Sequence, residues 1–221
     1  MNPPDRRDTP PIRVAIVDDF ALVIDGLVAH LADASIGIDV VIAARSWGEL
    51  IDNPRFPASV TVLDLNLNDS ISARTKIAAL RAAGSEVVVI SRHSDAATVL
   101  RAMDAGALSY VPKTDGAADL VSAIRAAAKG RRHLAPGLAA AIKDVPVPAD
   151  PKLGQREHEA IALYATGRSI KEVATAMSTT DETVKSYIKR ARRKYREVGV
   201  ELGTRSLLRN HGIREGWIDP D

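Results

Sequence analysis

The sequence predicts a doubly wound α/β domain of the (βα)5 kind followed by a smaller all-helical domain with a helix-turn-helix layout. Three observations carry this. Five short Val/Ile-rich runs alternate with helix-period segments through the first 130 or so residues. A proline-rich stretch, Val145-Pro-Val-Pro-Ala-Asp-Pro151, then interrupts regular structure. After it no strand-like run returns, and the pattern is helical to the end.

The strands read as Ile12–Val17, Asp39–Ala43, Val60–Leu65, Glu86–Ile90 and Ser109–Val111. They are apolar on both faces, as parallel strands covered by helices on each side must be. Helical periodicity fills the gaps at Ala21–Ala32, Trp47–Ile51, Ile71–Ala83, Ala96–Ala105 and Ala117–Lys129. Gly84 and Gly130 follow two of these as residues just past a helix end do. The segment 134–152 reads as a linker because each proline lacks an amide donor and restricts its predecessor. Residues 1–11, with four prolines, read as a disordered arm. Beyond the linker, helices are expected over Arg156–Thr166, Ile170–Met177 and from Thr180, as N-cap, to about Tyr195. A short helix, a tight turn through Ser178-Thr179 and a basic helix make the helix-turn-helix. Leu207-Leu208 through Trp217-Ile218 predicts one more helix and an ordered end.

Composition narrows the function. The chain of 221 residues is 46% hydrophobic and 26% charged, a globular balance. Its longest uncharged stretch, His133 to Ile142, is half of the roughly 20 residues a membrane-spanning helix needs. The start lacks the apolar core of a signal peptide, so a cytoplasmic protein with no membrane partner is expected. With no cysteine, disulfides, thiol catalysis and Cys-ligated metal are excluded. The net charge of +2 is unevenly placed: seven basic residues and no acidic one lie between Lys185 and Arg196. A helix that positive, without sign mixing at i,i+4, points to a polyanion partner. His30, His133, His158 and His211 show no ligand spacing, and Trp47 and Trp217 read as packing residues.

In open parallel sheets functional groups gather beyond the carboxyl ends of the strands. Asp18 and Asp19 follow the first strand, Asp64 closes the third, Ser91 follows the fourth and Lys113 the fifth. Any one of these is ordinary turn chemistry; five suitable groups at four strand ends are not. Two carboxylates about 4 Å apart repel by roughly 4 kcal/mol at an effective dielectric near 20. Three require a cation, and oxygen donors without His or Cys favour Mg2+. Lys113 and Ser91 are then placed to hold phosphoryl oxygens, and Asp64 is the natural nucleophile.

The pieces Val14-Ala-Ile-Val-Asp-Asp19, Val62-Leu-Asp-Leu65, Val88-Val-Ile-Ser91 and Tyr110-Val-Pro-Lys113 resemble the receiver domain of two-component response regulators, over about residues 12–133. The resemblance implies that Asp64 accepts a phosphoryl group from a sensor histidine kinase. It implies that Asp18, Asp19, Asp64 and the main-chain carbonyl of Asn66 bind Mg2+, with Asp18 acting through water. Ser91 would donate to the phosphoryl group, Lys113 would pair with it, and Tyr110 would turn inward as Ser91 moves. Departures from the family pattern are Leu67-Asn68 and Asp69-Ser70 after the acceptor, Ile24 on the first helix, and Arg92 after Ser91, which narrows donor access.

Residues 153–221 resemble the DNA-binding domain of NarL/FixJ (LuxR-type) regulators through Leu153, Arg156-Glu157, Glu159, Ala165-Thr-Gly167, Lys171-Glu-Val-Ala174 and Thr183-Val-Lys185. Glu157 reads as a structural residue, and Val173, Ala174, Met177 and Val184 as packing. The resemblance places Thr183 near the start of the recognition helix and Lys185, Ser186 and Lys189 at base edges. Tyr187, Arg190, Arg193 and Lys194 lie nearer phosphates. Duplex DNA bound as a homodimer on two half-sites follows, with RNA polymerase as a further partner. Departures are Gly154 where a Thr N-cap is usual, Tyr187 where His is frequent, and the lengthened segment 194–203.

The expected function is therefore a response-regulator transcription factor, not an enzyme, controlled by phosphorylation at Asp64. One alternative is a constitutive DNA-binding protein whose unphosphorylated receiver serves dimerisation. The other is a Mg2+-dependent phosphohydrolase, against which Asp64-Leu-Asn66 lacks a second carboxylate and only His93 lies near.

Overall fold

The computed structural model describes residues 10–33, 37–67, 69, 71–145, 149–215, 217 and 218. Most of the expected disordered arm, Asn68 and Ser70 of the loop after Asp64, and Pro146 and Pro148 of the linker lie outside the described residues.

The strands are β1 (Ile12–Val17), β2 (Ile38–Ala44), β3 (Val60–Asp64), β4 (Glu86–Ser91), β5 (Ser109–Pro112) and β6 (His133–Leu134). They form one parallel sheet in the order β2-β1-β3-β4-β5-β6. Every residue of β3 is buried, which is why its sequence alternates nothing. Helices α1 (Ala21–Leu31) and α5 (Ala117–Ala127) cover one face through Ile24, Leu31, Leu120 and Ile124. Helices α2 (Trp47–Ile51), α3 (Ala73–Ala82) and α4 (Ala96–Asp104) cover the other with Leu50, Ile77, Leu80, Val99 and Met103. Each of these three starts where a cap dictates: Ser46, Ser72 and Asp95 accept from the N–H groups of Glu49, Thr75 and Thr98. The Ser72 cap moves the start of α3 two residues past the expected Ile71. Gly84 and Gly130 take φ values of +87° and +65°, the left-handed conformation that ends a helix.

The sheet has a sixth strand that five β/α repeats do not include. His133-Leu134 pairs with β5, and α6 (Pro136–Ile142) follows with Pro136 in its first turn. Leu134, Leu138 and Ile142 pack against the core. The first part of the expected linker is thus laid onto the α/β layer. A two-residue strand carries no periodicity, and a proline that breaks a helix interior is well placed in its first turn.

The remaining helices are α7 (Gln155–Ala165), α8 (Ile170–Ala176), α9 (Asp181–Glu197) and α10 (Arg205–Arg214). Val173, Ala174, Met177, Val184 and Ile188 pack together between α8 and α9, with Ala160 of α7. Ile161, Ala191, Tyr195, Leu208, Trp217 and Ile218 form a second cluster. Gly154 is the N-cap of α7 and offers no side chain, but the Glu157 carboxylate accepts its N–H at 2.9 Å. The expected final helix is α10, and the chain end folds back on it at Gly212. A Cβ there would lie 2.7 Å from Ile218 Cδ1 and 3.2 Å from Trp217 Cε3. Gly212→Ala should therefore lower stability by about 1–2 kcal/mol, overpacking outweighing the roughly 1 kcal/mol helix gain of alanine. Thermal unfolding checks this; an unchanged or raised Tm would mean that Ile218 and Trp217 yield freely. Among the described residues no helix is long and apolar enough to cross a membrane.

Candidate phosphoacceptor and nucleic-acid sites

The carboxyl edge of the sheet gathers the acidic residues. β1 ends at Val17, so Asp18 and Asp19 stand at its tip, and Asp64 is the last residue of buried β3. One carboxylate oxygen from each of Asp18, Asp19 and Asp64 lies within 4.8 Å of the others. Lys113, one residue past β5, puts its Nζ 2.7 Å from Asp18 Oδ2 and 2.8 Å from Asp64 Oδ2. The main chain fixes the acids: Phe20 N–H donates to Asp18 Oδ1 at 3.0 Å and Asn66 N–H to Asp64 Oδ1 at 3.3 Å. The Asn66 side chain is buried with neither amide atom hydrogen-bonded. Three carboxylates without Cys or His are a donor set for a hard divalent cation.

Burial, the largest influence, pushes the Asp64 carboxyl above its ordinary range; Lys113 opposes this and the charge of Asp18 adds to it. Burial also works against the Lys113 ammonium, but Asp64 and Asp18 outweigh it and its pKa lies above the ordinary value. The cluster is thus strained in charge, with a single bridging lysine between two buried acids.

Ser91 ends β4, buried, its Oγ accepting from His93 N–H at 3.1 Å. Tyr110 is 1% exposed, and its hydroxyl donates to the His93 carbonyl. Its expected inward position is therefore already occupied. Arg92 lies over the Phe20 ring at 5.3 Å, and Lys113 faces the same ring at 5.6 Å.

Helix α9 buries Val184, Ile188, Ala191 and Tyr195 on one face and turns its basic residues outward. Lys185 and Arg193 have side chains 56% and 63% exposed. The expectation that sign mixing is absent needs correction. Glu182 pairs with Lys185 at 2.7 Å from just outside the acid-free window, and Glu197 approaches Arg193 at 3.8 Å. A third acid comes from another helix: Glu157 holds Arg190 Nε at 3.0 Å and Lys194 Nζ at 2.6 Å. A count along the chain cannot see an acid 33 residues away. Arg190 also lies over the Tyr187 ring at 5.0 Å. Thr183 closes the helix cap, its N–H donating to Thr180 Oγ1 at 3.2 Å. Ser186 lies on the same outward side, 3.4 Å from Arg190.

A contact between the two halves had no signal in the sequence. Thr98 of α4 donates to the Arg214 carbonyl at 3.2 Å, and Arg101 pairs with Glu215 just beyond α10. Arg74 of α3 pairs with Asp150 at 3.0 Å. A cavity of about 380 Å³ lies beside these contacts, bordered by Ala73, Ala102, Tyr195 and Trp217. His158 and His211, scattered in sequence, both meet the Trp217 ring edge-on.

Comparison with known proteins gives two family matches: the response regulator receiver domain over residues 14–125 and sigma-70 region 4 over residues 151–194. The chain is 30% identical over 197 residues to the probable transcriptional regulatory protein NarL of Mycobacterium tuberculosis, covering 86% of this chain and 88% of that protein. It is 32% identical over 187 residues to the transcriptional regulatory protein LiaR of Bacillus subtilis, covering 80% and 87%. In fold it is similar to RcsB from Salmonella enterica serovar Typhimurium bound to promoter rprA, with a TM-score of 0.61, 22% identity and coverage of 91% and 98%.

Proposed function

Because the chain belongs to the NarL/FixJ family of response regulators, we propose that Asp64 is the residue whose phosphorylation sets its grip on DNA. A receiver joined to a DNA-binding helix-turn-helix is the plan of a transcriptional response regulator. Residues 12–142 act as the receiver, with β6 and α6 laid onto its sheet, 143–152 as the linker and 153–221 as the DNA-binding domain. The observation that carries the reading is the convergence of Asp18, Asp19 and Asp64 with Lys113 at one sheet edge.

The residues present fit a magnesium site, since the donors are all hard oxygens and the Asn66 amide is buried without a partner beside them. Asp18, Asp19, Asp64 and the Asn66 carbonyl would hold Mg2+, which when bound offsets their charge and that of the incoming phosphoryl oxygens. Asp64, held by β3, attacks phosphorus in the kinase's phosphohistidine. An Asp64 O–P bond forms, the N–P bond breaks, and the imidazole leaves with its electron pair. Lys113, freed from bridging two carboxylates, pairs with the new dianion, and the Ser91 hydroxyl donates to it. Ser91 and Tyr110 meet through the 91–95 segment that leads into α4, and α4 holds Arg214 and Glu215. The contacts of α4 with Arg214 and Glu215 support a reading in which phosphorylation releases the DNA-binding domain to pair with a second copy on two half-sites. Thr183, Lys185, Ser186, Lys189, Arg190, Arg193 and Lys194 form the DNA-facing side of α9. Arg190 and Lys194 contribute while tethered by Glu157.

On this reading the protein is a cytoplasmic regulator rather than an enzyme. Its partners are a sensor histidine kinase, duplex DNA, a second copy and RNA polymerase. The inward Tyr110 is the observation that favours the constitutive alternative, and one measurement decides between them. Incubated with acetyl phosphate and Mg2+, the wild type should gain one phosphoryl mass and Asp64→Asn none. A gain on the mutant would move the acceptor elsewhere; no gain on either would support a constitutive regulator.

A further inference from the structure

Among the described residues the largest charged side chain sealed inside the α/β layer is that of Lys76, on α3, which is 1% exposed. A solitary buried ammonium costs several kcal/mol, so its place in a helix face otherwise made of Ile77 and Leu80 calls for a partner. That partner is Asp69, whose Oδ1 lies 2.7 Å from Lys76 Nζ. The same Asp69 oxygen accepts the Ile71 N–H at 3.0 Å, so the pair ties the segment after Asp64 to the first turns of α3. Lys76 also feels the charges of Asp64 and Asp19. Burial pulls its pKa below the ordinary value, and those three carboxylates oppose the fall. It is therefore a second cation near the acidic edge, carried by α3 and paired with the segment that follows Asp64.

We propose that Lys76 neutralises Asp69 beside the phosphoacceptor pocket, sparing the pocket a fourth uncompensated carboxylate and so limiting how tightly it holds a divalent cation. This rests on the reading of Asp64 as the phosphoacceptor. Its physical content is a charge sum. Asp18, Asp19 and Asp64 total three negative charges, Lys113 returns one, and the Lys76–Asp69 pair adds none while intact. Removing either partner alone changes the sum by one unit; removing both restores it.

Lys76→Met, Asp69→Asn and the double variant isolate this. Mg2+ affinity is measured by titration calorimetry on the full chain, and folding stability by urea unfolding without Mg2+. Lys76→Met should bind Mg2+ about three- to tenfold more tightly than wild type, and Asp69→Asn more weakly by a similar factor. The double variant should return close to wild type. All three substitutions remove the ion pair, so a purely structural role would weaken binding in each case, in step with lost stability. That ordering, or affinities that do not differ, would overturn the proposal. Wild type that binds no Mg2+ would overturn the phosphoacceptor reading along with it. Mg2+ binding that is lost in Asp64→Asn but insensitive to Lys76 would leave that reading standing and remove only this one.

Discussion

Lys113→Met should destabilise the protein by about 3 kcal/mol at pH 7.5 without Mg2+, the scale for breaking a buried ion pair from one side. Its ammonium lies between Asp18 and Asp64, whose side chains are almost wholly enclosed. Without it two buried carboxylates face each other. The sign of the pH dependence follows from Asp64, whose folded pKa already lies above its ordinary value. A carboxyl raised in this way favours the fold when protonated, and that contribution is lost as pH rises through the folded pKa. Loss of Lys113 raises it further, so the penalty should be large at pH 7.5 and shrink towards pH 5. Adding Asp64→Asn should recover most of the lost stability, because the amide carries no charge to oppose Asp18. Asp64→Asn alone should also be more stable than wild type at pH 7.5, the ordinary relation between a strained functional group and its neutral replacement. Urea unfolding of the four proteins at both pH values tests the cycle. Equal penalties at the two pH values would show that Lys113 acts by packing its alkyl chain.

Lys185→Ala combined with Lys189→Ala should weaken binding to a duplex selected from a random pool by roughly a hundredfold or more, each proposed base-edge pairing contributing about 1–3 kcal/mol. The Glu182 partner of Lys185 is exposed and yields readily to a phosphate or base. Arg193→Ala should behave differently. As the proposed phosphate contact it should lower affinity across all sequences and reduce the salt slope by about 0.9. Anisotropy titrations at several salt concentrations separate the two. A double lysine variant that binds the selected duplex as wild type does would place recognition on another element.

The sequence made most of this legible because periodicity and strand-end chemistry are local. Val60–Leu63 declares a buried parallel strand, and Asp64 follows at its tip; Thr180 caps the helix that Val184 and Ile188 pack. What it could not show depends on distance in the chain. Glu157 meets Arg190 and Lys194 across a helix crossing, so the basic face is less bare than its own segment implies. Arg101 meets Glu215 only because two halves dock. Lys76 reads as one more charge on an amphipathic helix, and only burial shows that it points inward. His133-Leu134 is too short to announce a strand and becomes one because β5 offers an open edge.

The most direct test joins the two sites in one measurement: affinity for the selected duplex, by anisotropy, for wild type and Asp64→Asn with and without acetyl phosphate and Mg2+. Wild type should tighten by about tenfold or more on phosphorylation, a coupling of ordinary size, while the mutant should hold one affinity throughout. Identical affinities for wild type in both conditions, alongside a confirmed phosphoryl mass, would contradict control of DNA binding through Asp64.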